Sequence, residues 1–216
     1  MCIRDRWIDR VPAVLEAWFS GSEAGNALAD VVFGAVNPSG KLPFTFPVRL
    51  EDNGAHALGE YPGSDKVKYN ESIFVGYRWH DKEQLKPLFA FGHGLSYTAF
   101  AVGNVKADRT TLAPNGSIRI SADVTNTGDR AGAEVVQLYI GDEQSSLPRP
   151  VKELKGFQKV SLNPGQTRTV TFEITSGMLQ YYDDAKGAWV AEPGAFTAYV
   201  GAASDDIRGT VEFELK

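Results

Sequence analysis

The chain has 216 residues, 43% of them hydrophobic and 23% charged, which is ordinary globular usage and excludes a disordered tail or a coiled coil. Lys and Arg total 22 against 27 Asp and Glu, a net charge of -5 with no basic block, so the balance speaks against a nucleic-acid partner. No apolar stretch approaches the roughly 20 residues of a membrane span. One cysteine, Cys2, and three scattered histidines, His56, His80 and His93, offer neither an internal disulfide nor metal-ligand spacing.

Residues 1–6 have no apolar segment of the signal-peptide kind and read as a non-native leader, with an unusual natural N-terminus as the alternative. Val11-Pro12-Ala13-Val14-Leu15-Glu16-Ala17-Trp18 is a nearly continuous apolar run, the pattern of a strand buried on both faces of a parallel sheet. Few other segments could flank such a strand, so the chain reads as starting inside a domain. Ser20 and Glu23 have capping-box spacing. The helix they announce carries Ala24, Ala27, Leu28, Val31 and Val32 on one stripe, and Gly34 can end it in the left-handed conformation. Asn37-Pro38-Ser39-Gly40 is a turn, and residues 41–47 are extended but bounded by prolines, an edge or crossing segment. Residues 7–50 therefore read as the C-terminal part of an α/β domain.

Residues 51–72 are rich in Gly, Pro and Ser with little periodicity, a length of irregular chain that is usually functional or a linker. Residues 73–79 read as a strand and residues 89–97 as a glycine-punctuated aromatic connector, so 51–100 are loop and connector. From there the period becomes two. Ile118, Ile120, Ala122 and Val124 alternate with polar residues, as do Val136, Leu138 and Ile140 with Gln137 and Tyr139, and similar rows follow at Val170–Ile174, Phe196–Val200 and Val211–Leu215. Turns stand at Asn126-Thr127-Gly128-Asp129, Asn163-Pro164-Gly165 and Glu192-Pro193-Gly194. Residues 101–216 are thus predicted to be an antiparallel sandwich, fibronectin type III-like rather than antibody-type because no Cys-Trp-Cys set is present. The fold class is an α/β fragment followed by an all-β immunoglobulin/fibronectin type III-like sandwich.

The run Gly21 to Gly34 followed by Asn37 to Pro47 resembles the end of the α/β sandwich domain of glycoside hydrolase family 3, which includes β-glucosidases and β-xylosidases. Tyr69 to Arg78 and Pro87 to Tyr97 resemble that family's connector. Val124 to Gly128, Glu134 to Tyr139, Lys152 to Phe157 and Glu192 to Gly194 resemble its C-terminal fibronectin type III-like domain. The resemblance covers about residues 11 to 216, with small departures at Ser22 and Ser72. It implies the C-terminal portion of a retaining β-glycosidase, an enzyme that sets two carboxyl groups about 5–5.5 Å apart across the glycosidic bond. In the family the nucleophile Asp lies on a preceding (β/α)8 barrel and the acid/base Glu lies earlier on the α/β sandwich. Neither has a match here, so no catalytic residue, cofactor or metal ligand is assigned and the chain alone is expected to hydrolyse no glycoside. The implied partners are a β-linked oligosaccharide or aryl glycoside and the missing N-terminal barrel, with no nucleic acid and no membrane. The acidic balance and single cysteine suit a periplasmic or secreted setting.

Among individual residues, Glu71 with Tyr69 and Asn70 forms the substrate-binding candidate, since carboxylate and amide groups beside an aromatic suit a sugar ring, with a solvated or salt-bridged surface carboxylate as the alternative. Glu23 follows the predicted strand end, where open α/β sheets place their ligand crevice, yet its capping box explains it without chemistry. His93 between two glycines reads as a backbone turn, Trp79 and Trp189 as core rather than sugar platforms, and Tyr181-Tyr182-Asp183-Asp184 as a solvated turn. Two further readings stay open: a free carbohydrate-binding module and a purely structural spacer.

Overall fold

The computed structural model describes residues 7–216, so the leader assigned to residues 1–6 lies outside the described residues. The first half holds three helices, α1 (Ala24–Val32), α2 (Gly54–Ala57) and α3 (Tyr77–Lys82), joined by turns and extended chain. The second half holds β1 (Phe100–Ala107), β2 (Thr111–Leu112), β3 (Ser117–Asn126), β4 (Gly132–Asp142), β5 (Glu153–Leu162), β6 (Thr167–Thr175), β7 (Tyr181–Asp183), β8 (Ala188–Val190), β9 (Gly194–Ala203) and β10 (Asp206–Leu215).

These strands form two facing sheets, β1-β3-β6 and β2-β10-β9-β4-β5, plus the β7-β8 ribbon. All neighbours are antiparallel except the short β2, which runs parallel to β10. Register brings the apolar rows together: Ile118 opposes Ile174 and Ile120 opposes Phe172 in one sheet, while Leu138 opposes Val200 and Phe213 opposes Phe196 in the other. Ile118, Ile120, Val124, Val136, Leu138, Ile174 and Val200 are all fully buried. Each such side chain contributes on the order of 1.5–3 kcal/mol, and the hydrophobic core among the described residues is this sandwich interior. Asn126, wholly buried at the end of β3, donates to the carbonyls of Arg130 (2.7 Å) and Leu162 (3.0 Å) and accepts from Thr98 Oγ1 (2.8 Å), which pins the β3-β4 turn.

The predicted alternation holds on β3 and β6 but not on β4, where Gln137 and Tyr139 are buried as well. The connector covers that outer face. Gln137 Nε2 donates to the Gly92 carbonyl at 3.2 Å, Tyr139 Oη donates to Gln137 Oε1 at 2.5 Å, and Tyr77 packs edge-on to Tyr139 with ring centres 5.7 Å apart. Gly92 sits at φ +81°, and a Cβ there would collide with the Gln137 amide.

Four local expectations are corrected. Residues 11–18 form no strand and stay exposed, because the described chain supplies no strand to pair with them. Helix α1 starts at Ala24, not after Ser20: Gly21 at φ +71° turns the chain through a 3-10 turn, Ser20 Oγ donates to the Ala17 carbonyl instead of capping, and Glu23 accepts from Asn26 Nδ2 at 2.6 Å. Residues 73–79 are not a strand, because Gly76 at φ +59° breaks the extension and α3 begins at Tyr77. Tyr181–Asp183 is strand β7, and Trp189 on β8 stands 65% exposed beside Tyr182 rather than in the core. The expected end of α1 is present, with Gly34 at φ +78° and its amide donating to the Val31 carbonyl.

Candidate functional site

The stretch read as irregular, residues 51–72, contains local order that positions Glu71. Arg49 closes a 3-10 turn on Asp52, through its backbone amide to Oδ2 (3.1 Å) and its guanidinium to Oδ1 (2.9 Å). Burial pushes the Asp52 carboxyl up, but these hydrogen bonds from Arg49 prevail and hold it below the ordinary carboxylate value. Asn53 Oδ1 then accepts from the Ala55 amide and caps α2. Gly54 opens α2 directly against the Trp79 ring and the Glu71 side chain, where a Cβ would approach them to 3.1 and 3.2 Å. Only glycine leaves both neighbours in place.

Glu71 is 9% exposed and its Oε2 has no hydrogen-bond partner. Its two companions go elsewhere. Asn70 donates to Glu60 Oε1, and Tyr69 is 78% exposed. Of the predicted trio, the structure turns Glu71 inward, leaves Tyr69 in solvent and ties Asn70 to its own loop. Three further buried polar atoms near α3 lack partners: Trp79 Nε1, His80 Nε2 and Thr45 Oγ1. His80 Nδ1 lies 3.0 Å from the Gly76 carbonyl, which can only accept, so Nδ1 carries the proton. The sequence reading missed His80 and Thr45. Trp79, expected in the core, is 5% exposed, but a strand reading of residues 73–79 gave no reason to place His80 inward, and the signal that could have found it was Gly76 as a break followed by a helical phase.

Helix α3 is fixed on the sandwich by charge and aromatic packing. Lys152 Nζ meets Asp81 Oδ2 at 2.6 Å, Arg78 meets Glu153 at 3.2 Å, and the Leu154 amide donates to Tyr77 Oη at 2.9 Å. Burial pushes the Glu153 carboxyl up, but Arg149, Lys155 and Arg78 hold it below its ordinary value. Asp142, on the other side of Arg149, is raised by burial. A cleft of about 410 Å³ opens where α3 meets the β9-β10 turn, lined by Thr45, Tyr77, His80, Asp81, Lys86 and Ser204 among others. Among the described residues no cluster of three or more His, Cys, Asp or Glu is placed to share a metal ion, and no helix is long and apolar enough to cross a membrane.

The other singled-out residues play structural parts. His93 donates its amide to Ala90, accepts from Leu42 and stacks on Phe89 with ring centres 5.5 Å apart. Asp183 accepts from the Ala185 and Lys186 amides and pairs with Lys186 Nζ at 3.0 Å. Around α1 and the chain before it, Val14, Leu15, Trp18, Phe19, Val32 and Phe33 are exposed, with Phe19 and Phe33 at 105% and 87%.

Known proteins align with both halves. The family description "Glycosyl hydrolase family 3 C-terminal domain" matches residues 2–97, and "Fibronectin type III-like domain" matches residues 134–204. The beta-glucosidase BoGH3A of Bacteroides ovatus is 52% identical over 211 residues, covering 96% of this chain and 28% of that protein. Thermostable beta-glucosidase B of Acetivibrio thermocellus is 49% identical, covering 93% of this chain and 26% of its own length. Among solved structures, DesR, a beta-glucosidase from Streptomyces venezuelae in complex with D-glucose, superposes with a TM-score of 0.90 at 39% identity, over 98% of this chain and 27% of that one. The beta-glucosidase from Kluyveromyces marxianus in complex with glucose gives 0.89 at 42% identity, over 97% and 25%. The chain thus spans about a quarter of the length of the curated relatives it matches.

Proposed function

Because the chain belongs to glycoside hydrolase family 3, of which it is the C-terminal portion, we propose that it serves a retaining β-glycosidase as the element that completes the α/β domain and supports it on the sandwich. The observation that carries this reading is the uncovered apolar surface of residues 14–33. Trp18, Phe19, Val32 and Phe33 lie exposed on a segment that the family description matches, in a chain a quarter as long as its relatives. Apolar surface of that density is what a missing sheet and barrel would cover. The sugar in this reading is a β-linked oligosaccharide or aryl glycoside. The matched segments hold neither the nucleophile nor the acid/base of the family, so the chemistry of retention belongs to the covered partner.

Within the reading, Glu71 is a positioning group at the edge of that partner, since a buried carboxylate oxygen without a donor is costly unless something supplies one. The test is a chimera in which this chain replaces the corresponding quarter of the Bacteroides ovatus enzyme. Turnover of an aryl β-glucoside by the chimera, with none by the isolated chain, supports the proposal. A folded but inactive chimera, or turnover by the chain alone, contradicts it. A second reading, a carbohydrate-gripping module, draws on one observation: Tyr182 and Trp189 are cross-strand neighbours on the β7-β8 ribbon, 50% and 65% exposed.

A further inference from the structure

We propose that Asn115 is a site of spontaneous covalent modification, deamidation through a cyclic imide, and that the fold directs this chemistry to Asn115 by shielding the one other residue pair suited to it. Asn stands directly before Gly twice in the sequence, at Asn53-Gly54 and at Asn115-Gly116. The pair is reactive because glycine lacks the Cβ that would keep its amide nitrogen away from the preceding side chain. Local sequence makes the two sites equal, so their surroundings decide between them.

Asn53 is held on every side. Its Oδ1 accepts from the Ala55 amide at 3.2 Å and its backbone carbonyl from the Ala57 amide at 2.8 Å. Gly54 is buried, its carbonyl accepts from the Leu58 amide at 3.0 Å, and the Trp79 ring and the Glu71 side chain close over it. Forming a ring there requires the α2 cap to open and Gly54 to turn where even a Cβ would come within 3.1 Å of Trp79. Asn115 meets no such restraint. It follows Pro114 in the turn that joins β2 to β3, and one bond closes that turn, from the Gly116 amide to the Ala113 carbonyl at 2.9 Å. Its φ is not positive, as a type I turn requires. The residue is exposed and its side chain makes no hydrogen bond among the described residues. Opening one bond in an exposed turn is the small kind of local fluctuation, and it frees the attacking amide.

The step needs only water. The Gly116 amide nitrogen gives its proton to solvent and attacks Asn115 Cγ, so that an N–Cγ bond forms as the Cγ–Nδ2 bond breaks, and Nδ2 takes up a proton and leaves as ammonia. Water then opens the imide at either carbonyl, which yields aspartate or isoaspartate. Aspartate adds a negative charge to the turn. Isoaspartate carries the chain through Cβ and Cγ and so lengthens it beside β2, a strand of two residues whose Leu112 is wholly buried.

The experiment ages the full 216-residue chain in mildly alkaline buffer, folded and in urea, and maps its peptides by mass spectrometry against time. Cleavage after Lys and Arg puts Asn115 in peptide 110–119 and Asn53 in peptide 50–66, each with no second Asn. Deamidation reads as a mass gain of about 1 Da. In the folded chain Asn115 should convert at least about tenfold faster than Asn53, whose cap must open first. In urea the two rates should fall within about threefold of each other, because the shielding is gone. Gly116→Ala, whose Cβ would stand 3.4 Å from Ala113 in ordinary contact, keeps the turn and should slow Asn115 at least about tenfold. Equal rates in the folded chain would overturn the proposal. So would a lag of Asn53 that persists in urea, an Asn115 that keeps its amide when folded, or a rate at Asn115 untouched by Gly116→Ala.

Discussion

Strand β3 and helix α1 each carry a one-sided row of aliphatic residues, yet Ile118, Ile120, Ala122 and Val124 are at most 1% exposed while Leu28 and Val32 stand at 44% and 60%. The row on β3 meets β6 in its own sheet and the facing rows of β4 and β9 across the sandwich, all within this chain. The row on α1 has the right period and a correct glycine stop but meets nothing of comparable extent. Local pattern decides which element forms, and burial decides what that element is worth. The same amphipathic signal is the core of one half and the open face of the other.

The sharpest way to break that contrast is to cut the same residue type on each side. Leu138→Ala, in the filled interior, should cost about 2–5 kcal/mol, whereas Leu28→Ala on α1 should change stability by less than about 0.5 kcal/mol. Urea midpoints at constant slope give both numbers, and equal losses would mean that α1 is packed after all. Next in size is Asn126→Ala, which leaves the buried Leu162 carbonyl, the Arg130 carbonyl and the Thr98 hydroxyl without this partner. It should cost about 2–3 kcal/mol and show in the same denaturation series.

The charged ring under α3 sharpens the comparison by pH. Glu153 has a depressed folded value, so its contribution is fully present above the ordinary value of 4.5 and is lost as pH falls through the lower folded value. Asp142, raised by burial, acts in the opposite sense, since protonation relieves it. Glu153→Gln should therefore flatten the acid limb of the stability curve below about pH 4.5 and leave α1 unaffected, as read by thermal melts from pH 3 to 6 at roughly unit spacing. The smallest effect is expected from Phe33→Ser, with stability unchanged within about 0.5 kcal/mol and self-association reduced in sedimentation, because the residue is 87% exposed.

Much of the sandwich was legible because each strand's period of two agrees with the burial that the facing sheet provides. The places that escaped reading are those decided at long range. Gln137 and Tyr139 look like the wet face of β4 until the connector lies over them, and no local signal in β4 announces Gly92 or Tyr77. Residues 11–18 carry the composition of a buried strand, but pairing needs neighbours that composition cannot supply. The site was legible only in part. A carboxylate beside an aromatic drew attention to Glu71, whereas its burial depends on Gly54 and Trp79, which come from two other elements. His80 and Thr45 were invisible because they meet at the cleft from positions 35 residues apart.

Native-state hydrogen exchange on the full chain tests the central contrast most directly, since it reads both halves in one sample. The account predicts that the amides of Ile118–Val124, Val136–Ile140 and Phe196–Val200 exchange only through global unfolding, while those of residues 11–33 exchange orders of magnitude faster. Uniform slow exchange across Val11–Trp18, α1 and the sandwich would contradict it, because residues 11–33 would then be held by this chain alone and would have no covering partner to await.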